Sequence, residues 1–190
     1  MRAPFLAVLF AACFANAGEA SAEGLPAETV LQDRRLLLNG SATRTVWGFK
    51  VYEIGLFLNE RSSDGSFIIG VDRAPKRVRI SMLREVSEEQ FASTVQESID
   101  RNFTVEEKKK FAGELAKFLA AFSNGADLRK GSVVTIDYLP GTGMVMGRDD
   151  TVLGTIPGDD FYHAILRLWL GKPLQESIRD GLLGKTNSRG

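Results

Sequence analysis

The sequence predicts an α+β fold built on an antiparallel sheet. Apolar and polar residues alternate in strand fashion at about 36–58, at 76–83 and in the strand patterns of 132–156. Between and after these stretches, apolar residues recur at helical spacing, and strands and helices do not alternate regularly as they would around a parallel sheet. The chain has 190 residues and is 44% hydrophobic, which is the composition of one globular domain with a substantial core.

The first strand region is predicted to begin near residue 36, after a loose lead-in over residues 23–34. We expect breaks at Asn39-Gly40 and near Gly48, so that residues 36–58 form two or three short strands. Alternation on the last of these assigns Val51, Glu53, Gly55 and Phe57 to one face. The other face is predicted to carry Lys50, Tyr52, Ile54, Leu56 and Leu58.

The later elements follow from similar patterns. "FIIGV" fits a short strand or a helix, "KRVRISML" alternates as a strand, and "SVVTIDYL", "GMVMGR" and "TVLGTI" predict a three-stranded meander. Two capping boxes, Ser87 with Gln90 and Thr104 with Glu107, predict the starts of two helices. A final helical pair, about 159–170 and 174–183, is separated by the helix-stopping Gly-Lys-Pro at 171–173.

Residues 1–22 have the layout of a secretory signal peptide. A short basic start precedes the apolar "FLAVLFAACFANA", and two small-residue cleavage patterns follow. We therefore expect a periplasmic or secreted protein whose domain covers residues 23–190; a buried N-terminal helix is the alternative. The single cysteine, Cys13, lies within this segment, and Phe10 fits a lipoprotein cleavage site poorly, so we expect no lipid anchor.

The charge balance gives no reason to expect a nucleic-acid partner. Lys and Arg number 24 and Asp and Glu number 24. Removal of residues 1–22 takes away Arg2 and Glu19 and leaves 23 of each, so no net field attracts nucleic acid or an anionic membrane. The densest basic run, residues 108–110, is interpreted as a solvated helix face. No segment after residue 22 approaches the length of a transmembrane helix.

Most familiar catalytic patterns are absent from the sequence. His163 is the only histidine, and we expect it on the surface of its helix and not in a metal site. No serine stands in a G-x-S-x-G elbow, and the glycine-rich "GTGMVMG" joins two strands instead of opening a helix. We expect no metal and no cofactor.

Arg44 and Tyr52 are the remaining candidates, because they stand among apolar and small residues in the first strand region. A guanidinium keeps its charge, so inside a fold it must be paired or face a wet cavity. Arg44 could pair with Glu53 or another acid, or lie on the exposed face of the sheet. Alternatively, it is a fixed cation for an anionic ligand group, with the Tyr52 hydroxyl as a second donor. Spacing alone does not decide between these readings.

Four segments in the same order resemble the chalcone-isomerase-like family, in particular its exported bacterial members, over roughly residues 36–184. They are "LNGSATRTVWGFKVYEIGLFL", "LREVSEEQFASTVQESI", "IDYLPGTG" and "LGTIPGDDFYHAILRLWLG…SIRDGLLG". The resemblance implies an open-faced β-sandwich, a large antiparallel sheet with helices packed on one face and a ligand cleft between them. It also implies one of two activities. Plant members cyclise hydroxychalcones, whereas fatty-acid-binding members hold a carboxylate in the same cleft.

Position by position, the resemblance favours the binders. Arg44 matches the arginine that steers the phenolate in the enzymes and holds the carboxylate in the binders. Tyr52 falls where the enzymes have a threonine and the binders a tyrosine. Phe91 takes the place of the catalytic tyrosine of the enzymes. The remaining matched positions also differ from the enzymes: Thr94 for a lysine, Ser98 for an asparagine, and Leu168 and Trp169 for a threonine and a methionine.

We therefore expect a non-catalytic binder of a small apolar carboxylate, such as a fatty acid, with ligand-binding residues Arg44, Tyr52, Phe91, Leu168 and Trp169. One alternative is an intramolecular lyase or isomerase of chalcone-isomerase type on another substrate, in which Arg44 would be catalytic. A second alternative is a structural or accessory protein whose cleft is vestigial.

Overall fold

A computed structural model describes residues 25–70, 72–122 and 127–185. Within these ranges, seven strands form one antiparallel sheet in which each strand pairs with the next in the chain. The predicted signal peptide, residues 1–22, lies outside the described residues. The strands are β1 (Glu28–Leu31), β2 (Arg34–Val46), β3 (Phe49–Leu58), β4 (Lys76–Met82), β5 (Val133–Leu139), β6 (Gly143–Arg148) and β7 (Thr151–Ile156).

Six helices complete the described fold: α1 (Gly65–Gly70), α2 (Glu88–Asn102), α3 (Val105–Lys110), α4 (Ala112–Phe122), α5 (Asp159–Leu170) and α6 (Glu176–Leu182). Both predicted capping boxes are present, and they begin α2 and α3. The "FIIGV" stretch is helical in α1, whereas the second predicted helix is divided at Phe111 into α3 and α4. None of the helices in the described ranges is long and apolar enough to cross a membrane.

The main core lies between the sheet and the helices. Side chains from β3, β4 and β5, such as Ile54, Ile80 and Ile136, are buried against helical residues such as Phe118 and Ile165. A smaller cluster, formed by Leu31, Leu36, Phe57 and Leu139, lies apart from this main core. Burying one such aliphatic side chain stabilises the fold by roughly 1.5–3 kcal/mol. The predicted α+β architecture, with helices packed on one face of a large antiparallel sheet, is confirmed.

The lead-in predicted over residues 23–34 is wrong in part, because residues 28–31 form the edge strand β1. It pairs with the first residues of β2, and Leu31 is buried in the smaller cluster. Four residues are too few for an alternating pattern to predict a strand, and this strand forms because β2 supplies its hydrogen-bonding partner.

The break predicted at Asn39-Gly40 is a β-bulge within one strand of 13 residues. Asn39 is the extra residue. Its buried amide donates to the carbonyl oxygens of Ser62 at 3.0 Å and Leu182 at 2.7 Å, and its oxygen accepts from the Ser62 N–H at 2.7 Å. A side chain at Gly40 would collide with the backbone of α6, so this glycine permits the helix to pack directly on β2.

A second bulge changes which side chains of β3 face the core. Arg44 pairs with Tyr52 but Thr45 pairs with Lys50, so Val51 is the extra residue. Val51 packs against the main core and Lys50 is exposed, so simple alternation places both residues on the wrong face. The assignment holds from Tyr52 to Leu58, where Ile54, Leu56 and Leu58 are buried in the main core.

His163 is buried, and its predicted surface position is wrong. It is 8% exposed on α5, its ring packs 5.2 Å from that of Tyr138, and Nη1 of Arg73 lies 3.3 Å from its Nδ1. A guanidinium can only donate, so Nδ1 accepts and the imidazole is neutral. Burial lowers the pKa of His163, and the charges of Lys76 and Arg73 lower it further.

Candidate functional site

A cavity lies between the sheet and the helices, and its walls are largely apolar. The space open to the centre of a water-sized sphere is about 110 Å³. One water requires about 10–15 Å³ on this measure, so the cavity holds several groups of that size. All five predicted ligand-binding residues line it, namely Arg44, Tyr52, Phe91, Leu168 and Trp169. The structure therefore brings them together around one space, and their contact with a ligand stays a prediction.

Arg44 is half-buried and stands opposite Tyr52 in the pairing of β2 with β3. Its Nη1 donates to the side-chain oxygen of Gln175 at 3.2 Å and makes a long contact of 3.4 Å to the Thr45 carbonyl oxygen. Both acceptors are neutral. No ion pair between residues of the described ranges includes Arg44. Glu53 pairs across the sheet with Thr43.

The alternative of a structural Arg44–Glu53 ion pair is therefore wrong. A cation whose partners among the described residues are all neutral, and which faces an apolar cavity, retains most of its capacity to bind an anion.

Gln175, just before α6, holds Arg44 in place, and sequence reasoning missed it. Its Nε2 donates to the Thr43 carbonyl oxygen at 3.1 Å, and its Oε1 accepts from the Thr45 N–H at 3.0 Å. The side-chain amide thus bonds to this part of β2 as a neighbouring strand would, while also accepting from Arg44. No local pattern connects residues about 130 positions apart, so the sequence carried no signal for this contact.

Tyr52 supplies a second donor at the same end of the cavity. Burial raises the pKa of the Tyr52 phenol, whereas the Arg44 charge and a hydrogen bond with the Trp169 side chain partly oppose that rise. The phenol is therefore protonated at neutral pH and can donate to an anion. Arg44, Tyr52 and Trp169 form what we call the polar end of the cavity.

The wall formed by α2 offers little polarity to a ligand. Phe91 packs against Phe122 with ring centroids 5.4 Å apart. The Thr94 hydroxyl donates to the Gln90 carbonyl oxygen at 2.8 Å, and the Ser98 hydroxyl to that of Thr94 at 3.0 Å. Both hydroxyl protons are thus engaged within the helix. Leu168 of α5 adds a buried aliphatic surface.

A family model described as chalcone isomerase-like matches residues 17–184. The chain belongs to the chalcone isomerase-like family. Among solved structures, the fatty-acid binding protein AtFAP1 of Arabidopsis thaliana is similar with a TM-score of 0.63 and 14% sequence identity. The alignment covers 84% of this chain and 90% of that one, and at this identity it shows a shared fold. A search of curated proteins finds no significant match.

Within this chalcone isomerase-like chain, Phe91 lies in the cavity wall at the position where the resemblance places the catalytic tyrosine of the enzymes. A phenyl ring cannot donate a hydrogen bond to a developing oxyanion. The described ranges also contain no group of three or more side chains suited to hold a metal ion. The arrangement can hold an anionic head at one end and an apolar tail along the remaining walls.

Proposed function

We propose that the protein is an exported, non-catalytic binder of a small apolar carboxylate, a fatty acid being the first choice. The observation that carries this proposal is Arg44, a half-buried cation with only neutral partners among the described residues, at one end of an apolar cavity. The fold similarity to a fatty-acid binding protein agrees with it.

In the proposed complex, the carboxylate accepts hydrogen bonds from the Arg44 guanidinium and the Tyr52 hydroxyl. A hydrogen bond between charged groups contributes about 1.5–3 kcal/mol. The tail lies along the apolar walls, where each fully buried methylene adds up to about 0.8 kcal/mol until the cavity is full. The head group and the tail thus make separate contributions to the binding free energy, and each contribution can be measured on its own.

Cyclisation of a chalcone-like substrate is the less favoured function. It would require a donor for the negative charge that develops on the ketone oxygen, and Phe91 offers none. The enzymes' other polar positions are occupied by Thr94 and Ser98, whose hydroxyl protons are engaged within α2.

Binding of long-chain acids and of their methyl esters tests the role of Arg44. Wild type should prefer the acid roughly tenfold to a hundredfold, in line with about 1.5–3 kcal/mol for the charged hydrogen bond. Arg44→Ala should abolish this preference and keep the dependence on tail length, because the apolar walls are unchanged. Arg44→Lys should fall between, since it restores charge without the planar fork. Arg34→Ala, at an exposed arginine, is the matched control.

Two results would refute the proposal. An Arg44→Ala protein that still prefers acids would remove Arg44 from the site, and a wild type that binds neither acids nor esters would leave the cavity vestigial. N-terminal sequencing of the exported protein tests the first part of the proposal, which requires that residues 1–22 be absent.

A further inference from the structure

The tip of the β2–β3 hairpin carries three exposed apolar side chains. Val46, Trp47 and Phe49 are 37%, 93% and 63% exposed. We call residues 46–49 the hairpin tip. Single apolar residues on a surface need no explanation, but two aromatic rings and a valine within four residues make a concentrated apolar projection.

The backbone conformation of the tip is unfavourable for a tryptophan. Trp47 has φ of 51° and Gly48 has φ of 82°, so the two-residue turn is left-handed at both positions. Asn, Asp or Gly suit such a turn, whereas a bulky side chain in this conformation is strained. Because Trp47 is almost fully exposed, its side chain makes few contacts that could offset this strain. A contact with a molecule outside the chain would explain why a tryptophan stands here.

The charges around the tip have one dominant sign. The guanidinium of Arg84 stacks over the Phe49 ring at 5.3 Å. Lys50, which follows Phe49 in the chain, is exposed. The exposed Lys50 and Arg84 thus place two positive charges beside the Phe49 ring, and Glu85, next to Arg84 in the chain, carries one negative charge, in a chain with zero net charge overall. The balance of the whole sequence therefore conceals a local positive field.

The tip also adjoins the cavity. Val46 lines the cavity together with Val51, and Phe49 pairs with Val46 across the hairpin. The exposed aromatic surface is thus continuous with the cavity wall close to Arg44.

We propose that the hairpin tip docks the protein on an anionic lipid bilayer, with Trp47 and Phe49 inserted at the headgroup level. Tryptophan favours this interface because its ring is apolar and its N–H is polar, and neighbouring cations attract anionic headgroups. Docking would bring the cavity to the surface from which an amphiphilic acid is taken up or to which it is delivered. The uptake or delivery of an acid rests on the proposed function, whereas the docking itself does not.

Cosedimentation with vesicles of phosphatidylglycerol and phosphatidylcholine in equal parts tests the docking. Trp47→Ala and Phe49→Ala should each weaken partition of the 190-residue chain about tenfold, because each removes an inserted ring. Phe67→Ala, at an exposed phenylalanine elsewhere, should have no effect. Lys50→Glu should reduce the preference for these vesicles over pure phosphatidylcholine, and Lys109→Glu should not. Any lipid affinity of residues 1–22 is common to all variants.

Tryptophan emission gives a local readout, since Trp47 and Trp169 are the two tryptophans of the chain. Emission should shift to the blue on vesicles in wild type, and Trp47→Phe should lose the shift. Equal partition of wild type and Trp47→Ala, or wild-type emission that does not change on vesicles, would overturn the docking. The tip would then be interpreted as a contact surface for a protein partner. Acid affinity in solution separates the two proposals. Trp47→Ala should keep it, and a wild type that docks but binds no acid would refute only the proposed function.

Discussion

Arg44 and Arg77 both stand within strands of the same sheet, but their partners differ completely. Arg77 of β4 makes a two-pronged pair with Asp137, at 2.8 Å from Nε and 2.7 Å from Nη2, and also donates to the Thr29 hydroxyl at 2.9 Å. The side chains of Arg77 and Asp137 are only 17% and 7% exposed. Arg44 faces the cavity, and its hydrogen-bond acceptors among the described residues are neutral oxygens.

The difference shows that one sheet holds both an arginine paired with a buried carboxylate and an arginine with no ion-pair partner among the described residues. The hydrogen bonds with Asp137 raise the pKa of Arg77, so that pair is mutually satisfied and offers nothing to a ligand. Arg44 has a fixed position and no opposite charge within the described residues. In the proposed function, a bound carboxylate supplies the opposite charge.

Stability measurements should separate the two arginines most strongly. Arg77→Ala should lower the free energy of unfolding by about 3–5 kcal/mol, because it leaves the Asp137 carboxylate buried and unpaired. Arg44→Ala should cost about 1 kcal/mol or less, because this half-buried side chain loses only one hydrogen bond and one long contact, both to neutral oxygens. Urea unfolding followed by circular dichroism measures both. Adding Asp137→Asn to Arg77→Ala should recover part of the loss, and equal costs for the two arginines would make Arg44 structural.

A second change should make Arg44 resemble Arg77. Gln175→Glu places a carboxylate where an amide oxygen now lies 3.2 Å from the guanidinium. Affinity for acids should fall about tenfold, as expected when about 1.5 kcal/mol of charged hydrogen bonding to the ligand is lost, and affinity for methyl esters should stay unchanged. Gln175→Ala is the control, because it removes the same contacts without adding charge and should keep the preference for acids. Retention of that preference in Gln175→Glu would contradict the role assigned to Arg44.

His163 extends the comparison to a buried basic side chain that stays neutral. Its pKa in the folded protein is lowered, so the unfolded chain takes up a proton first, at a pKa of about 6.5. The associated stability is fully present above that pH and is lost as the pH falls below it. The free energy of unfolding should therefore decrease from about pH 7 to about pH 5, and His163→Gln should flatten this decrease. A wild type with no pH dependence in that range would show that His163 is not buried neutral.

The sequence predicted the fold well because its signals are local. The two capping boxes and the β5–β7 meander each depend on residues within a few positions. The resemblance found the cavity residues Arg44, Tyr52 and Phe91. The bulge at Val51 could not be predicted, since one extra residue has meaning only against the partner strand. Gln175 and the burial of His163 likewise depend on contacts between distant segments.

The order of the strands determines at which stage of folding the cavity can form. Every pairing joins consecutive strands, but β4 and β5 are separated by residues 83–132, which contain α2, α3 and α4. Residues 28–82 and 133–156 can therefore form as two local units, and the long loop must close before they join. The cavity draws Tyr52 and Ile80 from one unit and Ile136 from the other. A bound ligand would thus recognise only the joined sheet, and it should slow unfolding without accelerating the formation of either half.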